Sequence, residues 1–359
     1  MDTFVFAGGG TGGHLFPAIA VARRLRSRVP DARIVFVGGS RPVEGDILSR
    51  ELFERRQLAA AASTDLKRNP LRFAWRHWQA RRTATAWLKE LQPRAVIGCG
   101  GYVSVPVALA ANRARVPVVL LEQNVIPGRA TSWLARHAQT VCMSFEETAQ
   151  HLPRGVRTVV TGNPVRDEIA ALATLPGPPR AGRRTLLILG GSQGAASINE
   201  AILLFAERNR AQLAHWHIVH QTGPRDEAGV RERYSRLSLN AEVAAFFVDM
   251  AGIYVRADLA VSRAGATSLA ELACAGLPAV CVPYPGAVRD HQRHNAQWYE
   301  RRGAAVCVAD GEIDELQSAL QPLLTDTARR QQMADCMRSC ALPSATDRVL
   351  SEFLLDFRL

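Results

Sequence analysis

Apolar positions in this chain follow two alternating patterns. Short apolar runs are each followed by a longer stretch in which apolar residues recur every three or four positions. The short runs read as buried strands and the long stretches as helices laid against them. Strands are expected at 3–7, 33–37, 95–98, 116–121, 140–143 and 158–161, then at 184–189, 215–220, 244–248, 258–262, 278–282 and 305–308. Helical patterns fill the gaps, among them 17–28, 195–208 and 267–275. Pro17 opens the first of these, where its missing N–H has no helical partner to lose. Alternation of this kind is that of parallel sheets with crossover helices. A break at Gly162-Asn163-Pro164 divides the chain into domains at 1–162 and 163–340. The remaining 341–359 is helical in pattern and is expected to pack back on the first domain. The architecture expected is α/β, with two doubly wound halves and a cleft between them.

Two of the strands run into glycine-rich turns that precede a helical stretch. Gly8-Gly9-Gly10-Thr11-Gly12-Gly13-His14 follows the first strand of the first half, and Gly190-Gly191-Ser192-Gln193-Gly194 follows the first strand of the second. A strand that turns through glycines into a helix points unpaired backbone N–H groups, and the positive end of a helix dipole, at one spot. Such a spot suits a phosphate or a developing anion. Two of them suit the two partners of a transfer reaction.

Charge sharpens this picture. Residues 1–162 hold 23 Lys/Arg against 11 Asp/Glu, whereas 163–359 hold 21 against 22, so the whole excess of +11 lies in the first half. That asymmetry predicts an anionic partner for the first half. The seven cysteines form no Cys-x-x-Cys pair and fall singly, several in apolar strands, so they read as core residues in a reducing compartment, with no structural metal. The N-terminus runs directly into a strand and lacks the pattern of a signal peptide. No apolar stretch approaches the roughly 20 residues of a membrane span. A cytoplasmic protein is expected.

Gly8, Gly10 and Gly13 satisfy G-x-G-x-x-G, a pattern shared with dinucleotide oxidoreductases. Those enzymes place an acidic residue at the end of the second strand, where this chain has Gly38-Gly39-Ser40-Arg41. No Gly-Lys-Ser/Thr follows either glycine loop, which argues against a P-loop NTPase. Other motifs follow in order: Gly100-Gly101-Tyr102-Val103-Ser104, Glu122-Gln123-Asn124, Gly162-Asn163-Pro164-Val165-Arg166, His220-Gln221-Thr222-Gly223, Arg263-Ala264-Gly265-Ala266-Thr267, and Gln292 to Asn295. With the two glycine loops, they make the chain resemble the MurG family over nearly its full length. These are bacterial glycosyltransferases of GT-B architecture that add N-acetylglucosamine to the lipid-linked peptidoglycan precursor.

The resemblance implies two Rossmann-like domains facing a central cleft. It implies inverting transfer from UDP-N-acetylglucosamine to the 4-hydroxyl of undecaprenyl-diphosphate-linked N-acetylmuramoyl peptide (lipid I to lipid II), without a cofactor. It places Thr11, Gly12, Gly13 and Asn124 along the cleft from the first domain. Arg166 and Ser192 would approach the donor's diphosphate, and Phe247 would lie beside the uracil. Ala266, Thr267, Ser268, Leu269, Ala270 and Glu271 would form the turn and helix start for the nucleotide, with Glu271 on the ribose hydroxyls and Gln292 on the sugar hydroxyls. The chemistry is apt, because a carboxylate accepts from two vicinal hydroxyls and an amide serves a sugar's donors and acceptors. Arg166 and helix-start N–H groups would neutralise a leaving diphosphate. No Asp-x-Asp pair of the kind that holds a divalent metal occurs. His14 is a candidate general base, since imidazole accepts protons near neutrality. Glu122 is the other candidate, or it orients Asn124 or His14. Val105 and the segment 284–289 depart from the family's pattern.

Residues 66–89 carry seven Lys/Arg and no acid, with Leu71, Trp75 and Trp78 at helical spacing. An ordinary helix packing its apolar stripe on the domain has this pattern, and so does a segment lying on anionic lipid. Arg72, Trp75, Arg76, Trp78, Arg81 and Arg82 are the candidate membrane residues, which would make the protein peripheral on the cytoplasmic face. No RNA- or DNA-binding module surrounds the segment, so nucleic acid is not expected. Three rival readings share the architecture: a transferase for another glycolipid, a UDP-N-acetylglucosamine epimerase, and a non-catalytic membrane-recruited scaffold. The intact glycine loops, His14 and Glu271 weigh against the scaffold.

Overall fold

In the computed structural model the chain divides into two units, Met1–Arg166 with Ser344–Leu359, and Asp167–Pro343. The structure describes residues 2–9, 12–49, 51–60, 69–175, 183–191 and 194–354.

The described part of the first unit carries β1 (Thr3–Ala7), β2 (Arg33–Gly38), β3 (Glu54–Gln57), β4 (Ala95–Gly98), β5 (Val118–Glu122), β6 (Thr140–Met143) and β7 (Thr158–Val160). They form one parallel sheet in the order β3-β2-β1-β4-β5-β6-β7. Val5 of β1 stands opposite Val35 of β2 and Val96 of β4, and all three are buried. Helices on both faces account for that burial, and so for the continuous apolar runs that mark a parallel sheet. The second unit carries β8 (Arg184–Leu189), β9 (Trp216–Gln221), β10 (Ala241–Ala244), β11 (Leu259–Ser262), β12 (Ala279–Cys281) and β13 (Ala305–Cys307), parallel in the order β10-β9-β8-β11-β12-β13. Both sheets are doubly wound, as the alternation predicts. In each, chain order reverses beside the first strand: between β1 and β4, and between β8 and β11. A parallel sheet opens a crevice for ligands at the carboxyl ends of its strands at such a point.

Two strand expectations need correction. β3 has the sequence Glu-Arg-Arg-Gln and no apolar run; it is a polar edge strand tied by Arg33 to Glu54 and by Arg56 to Glu90. The run at 244–248 is not a strand. The strand lies at Ala241–Ala244, where Ala241 pairs with Ile218, and the aromatic residues beyond it belong to a loop. Pairing with β9 decides the register there, and a three-residue shift is invisible to composition.

The chain returns to the first unit at its end. Helix Ala345–Leu354 buries Val349, Leu350 and Phe353 with Phe4, Phe6 and the helix Gly12–Arg28. The Phe353 ring lies 5.9 Å from that of Phe4. Burying such a side chain stabilises by about 1.5–3 kcal/mol. Among the described residues no helix is long and apolar enough to cross a membrane.

Candidate active site

In the first unit three glycine-bearing segments meet at the carboxyl ends of β1, β2 and β4. The Gly8 amide donates to Val37 O at 3.0 Å, and the Cys99 amide donates to Ala7 O at 2.8 Å. Gly100 and Gly101 both have positive φ, at 92° and 77°. A Cβ on Gly101 would stand 2.5 Å from Gly9 O, and one on Gly100 would stand 2.9 Å from the His14 imidazole. Glycine at these positions is what lets the loops close on one another and on His14.

His14 lies in the first turn of helix Gly12–Arg28, half-buried, with Nδ1 3.3 Å from Gln123 Oε1. The contact holds the imidazole against the residue that follows Glu122. Gln123 Nε2, buried, has no partner among the described residues. Glu122 does something different. Its Oε1 accepts from the backbone and side-chain nitrogens of Asn124, at 3.0 and 3.2 Å, and its Oε2 accepts from the Gly128 amide at 2.9 Å. Of the two orienting roles open to Glu122, the geometry supplies the one toward Asn124, while His14 meets the neighbouring Gln123. Gly12 and Asn124 are half-buried and Gly13 is exposed; Thr11 lies outside the described residues.

The segment after β2 supplies a residue that the sequence reading passed over. Glu44 is fully buried and accepts from the Gly39 amide at 2.7 Å. Its carboxylate lies flat against Gly9, where a Cβ would stand 2.7 Å from each of its atoms. A buried acid bonded behind a glycine loop braces that loop. Its signal in sequence is an acid five residues after Gly39, with Asp46 close behind it.

In the second unit the glycine loop follows β8. Gly191 and Gly194 have φ of 82° and 76°. Gln221 fastens this loop to the segment of Phe247: its Nε2 donates to Gly191 O at 3.1 Å, and its Oε1 accepts from the Phe247 amide at 3.2 Å. Phe247 is thereby placed beside the glycine loop, although it lies in the run misread as a strand. Ser192 lies outside the described residues. Helix Ala266–Ala275 starts just after β11, next to β8 in the sheet, and its N-cap Gly265 makes no side-chain cap bond. Ala266 and Leu269 are buried, and Thr267, Ser268, Ala270 and Glu271 are half-buried. Glu271 Oε2 accepts from the Tyr254 hydroxyl at 2.9 Å. Gln292, on helix His291–Glu300, accepts from the Tyr284 amide at 2.9 Å. Arg166 is half-buried just before helix Asp167–Ala170. Arg263, which precedes the nucleotide turn, pairs with Asp310 at 2.8 Å and donates to Val282 O at 3.1 Å, tying the ends of β11 and β12 together.

Behind Gln221 lies a buried polar network. Asn199 Nδ2 donates to Thr222 O at 3.0 Å and to Asp226 Oδ2 at 2.8 Å, which fixes the amide's orientation. Asn199 Oδ1 therefore accepts from His220 Nε2 at 3.1 Å, and His220 Nδ1 accepts from the Tyr234 hydroxyl at 3.0 Å. The imidazole is neutral and fully bonded. Burial pushes its pKa down from the ordinary 6.5 to about 3. The unfolded chain takes a proton on this residue below about pH 6.5 and the folded chain does not, so stability falls as pH drops from there toward 3. His220 should contribute a slope of up to about 1.4 kcal/mol per pH unit in that window. Urea unfolding of the second unit between neutral and mildly acidic pH should accordingly be less pH-dependent in His220→Gln than in the natural chain. Equal slopes would mean that His220 titrates normally in the fold.

Similarity to known proteins bears on these two sites together. The glycosyltransferase family 28 N-terminal domain matches residues 4–143, and the family 28 C-terminal domain matches residues 185–349. A relative from Desulfotalea psychrophila, a UDP-N-acetylglucosamine--N-acetylmuramyl-(pentapeptide) pyrophosphoryl-undecaprenol N-acetylglucosamine transferase, is 38% identical over 97% of this chain and 95% of its own. One of the same name from Coxiella burnetii is 36% identical over 98% of both chains. The crystal structure of Acinetobacter baumannii MurG superposes with a TM-score of 0.80 at 29% identity, over 99% of this chain and all of that one. The chain belongs to the MurG family. It is a glycosyltransferase, and both halves of the MurG-family architecture are present.

Of the basic segment in this MurG-family chain, residues 69–89 are described; Lys67 and Arg68 lie outside the described residues. Helix Pro70–Leu91 is capped by Asn69, whose Oδ1 accepts from the Arg72 amide at 2.9 Å. The helix buries Ala80, Ala84, Leu88 and Leu91. Leu71, Trp75 and Trp78 point elsewhere and are 83%, 57% and 53% exposed. The Arg82 guanidinium lies 4.8 Å from the Trp78 ring centre. A further exposed Trp133, not singled out from sequence, meets the His77 ring at 6.1 Å. Its contribution was illegible because it sits in a different helix, Arg129–Leu134.

Proposed function

We propose that this chain transfers N-acetylglucosamine from UDP-N-acetylglucosamine to the 4-hydroxyl of undecaprenyl-diphosphate-linked N-acetylmuramoyl peptide, the lipid I to lipid II step. Membership of the MurG family supports the reaction. The observation that carries the division of labour is the pair of glycine turns at the two sheets' points of reversal. One is built around His14 and the other stands beside Phe247 and the start of helix Ala266–Ala275. In this reading the second unit holds UDP, with Glu271 on the ribose and the helix-start N–H groups on the diphosphate, and Arg166, the residue immediately before that unit, is the diphosphate's candidate cation. The acceptor oxygen attacks C1 of the sugar in line. Its proton passes to the His14 imidazole, the C1–O bond to the diphosphate breaks, and UDP leaves with the electron pair. One displacement inverts the α configuration to a β-1,4 bond.

The exposed Leu71, Trp75 and Trp78 and the arginines beside them support contact of the first unit with the cytoplasmic face of the membrane. That face carries anionic lipid, which attracts basic side chains by about 1 kcal/mol each.

UDP release tests the reaction, and liposome sedimentation tests the membrane contact. The release should depend on acceptor and deposit sugar on it. Conversion of the donor to its epimer, with no sugar on the acceptor, would point to an epimerase, and neither transfer nor conversion to a scaffold. Changing Arg72, Arg76, Arg81 and Arg82 to Gln, with Trp75 and Trp78 to Ser, should weaken sedimentation with anionic liposomes by about tenfold or more. It should raise KM for the natural lipid and spare a short-chain soluble acceptor. Unaltered liposome binding would remove this helix from the membrane surface.

A further inference from the structure

We infer that Tyr254 is a positioning residue that sets how tightly and how selectively the second unit grips a nucleotide's ribose diol. The inference rests on the reading of Glu271 as the ribose carboxylate and deepens it. Tyr254 is buried at 2% exposure on helix Met250–Arg256, and its hydroxyl donates to Glu271 Oε2 at 2.9 Å. The helix itself is pinned: Asp249 Oδ1 accepts from the Gly252 amide at 2.9 Å. It begins three residues after Phe247, so one short segment runs from the proposed uracil neighbour to the side chain that meets Glu271.

The physical consequence follows from carboxylate geometry. A diol is held well only when the carboxylate plane is turned to face both hydroxyls, and an exposed glutamate samples many orientations. A phenol on a buried, rigid ring fixes one oxygen and with it the plane in which the other lies. The bond is to a charged acceptor, the stronger class of hydrogen bond. Glu271 thus meets the ribose pre-oriented, and the ordering cost is met in folding and not in binding.

The test compares UDP with 2′,3′-dideoxyuridine diphosphate by calorimetry on the full chain. The natural protein should prefer UDP. Tyr254→Phe should narrow that preference by about three- to tenfold, through weaker UDP binding, with dideoxy binding and melting temperature little changed. Glu271→Gln should narrow it at least as far, and Tyr254→Phe added to Glu271→Gln should narrow it no further. If the Phe variant does not fold, Tyr254→Leu is measured in its place with the same expectation. A preference kept by the Tyr254 variant but lost by Glu271→Gln overturns this inference and leaves the ribose reading standing. A preference kept by both overturns the two together. Equal weakening of both ligands, or additive effects in the double variant, assigns Tyr254 to general stability and also overturns the inference.

Discussion

Replacing His14 with alanine is expected to lower turnover about 10²- to 10⁴-fold while leaving UDP affinity little changed. The expectation rests on three features of the first unit. His14 sits in the opening turn of the helix that follows the glycine loop. Its Nδ1 lies 3.3 Å from Gln123 Oε1, a contact that orients the ring. Gly100, at φ 92°, leaves the room that the imidazole occupies, since a Cβ there would stand 2.9 Å from the ring. Glu122, the other candidate, already accepts three N–H bonds from Asn124 and Gly128, so its charge is committed to holding that loop. Steady-state kinetics with saturating donor, set beside calorimetry with UDP, separates the two contributions. A fall of only a few-fold would assign His14 to structure and turn attention to Glu122, or to a water held by Asn124.

Gly194→Ala is expected to destabilise the second unit by about 3–5 kcal/mol and to abolish measurable donor binding. Gly194 has φ of 76°, which costs an alanine roughly 1–2 kcal/mol by itself. The larger effect is the clash, because the new Cβ would lie 2.1 Å from Thr222 O. That carbonyl cannot easily retreat, since it accepts from Asn199, which is bonded in turn to His220 and Asp226. Gly191→Ala is the control. It shares the positive φ, at 82°, but nothing stands within 4 Å of its added Cβ. It should cost only the backbone strain. Urea midpoints of the two variants should therefore differ clearly, and equal losses would show that the clash with Thr222 is relieved by movement of the loop.

These two glycines illustrate how the site divides between what can be read along the chain and what cannot. Both are conspicuous in sequence as parts of one glycine turn after a strand. Only the fold shows that one faces a carbonyl 28 residues away and the other faces open space. His14 and Glu122 were likewise recognisable as polar groups at strand ends. Which of them is held by which partner depended on the geometry of a single loop, where Gln123 turns toward His14 and Glu122 turns toward Asn124.

The alternation of apolar runs and helical periods is a local property, and it was enough to establish two doubly wound parallel sheets, because a strand buried on both faces must be apolar throughout. The glycine turns are local too, since the strained backbone they permit is confined to a few residues. Family membership is carried by ordered motifs and was equally legible. Partners distant in sequence were not. The polar edge strand Glu54–Gln57 has no apolar signature and exists through pairing with β2. The register of Ala241–Ala244 was decided by β9. The brace of Glu44 behind Gly9, the clasp of Gln221, and the bond from Tyr254 to Glu271 each join segments that only tertiary folding brings together. Period and turn chemistry act between neighbours along the chain, whereas burial and hydrogen-bond pairing act between neighbours in space.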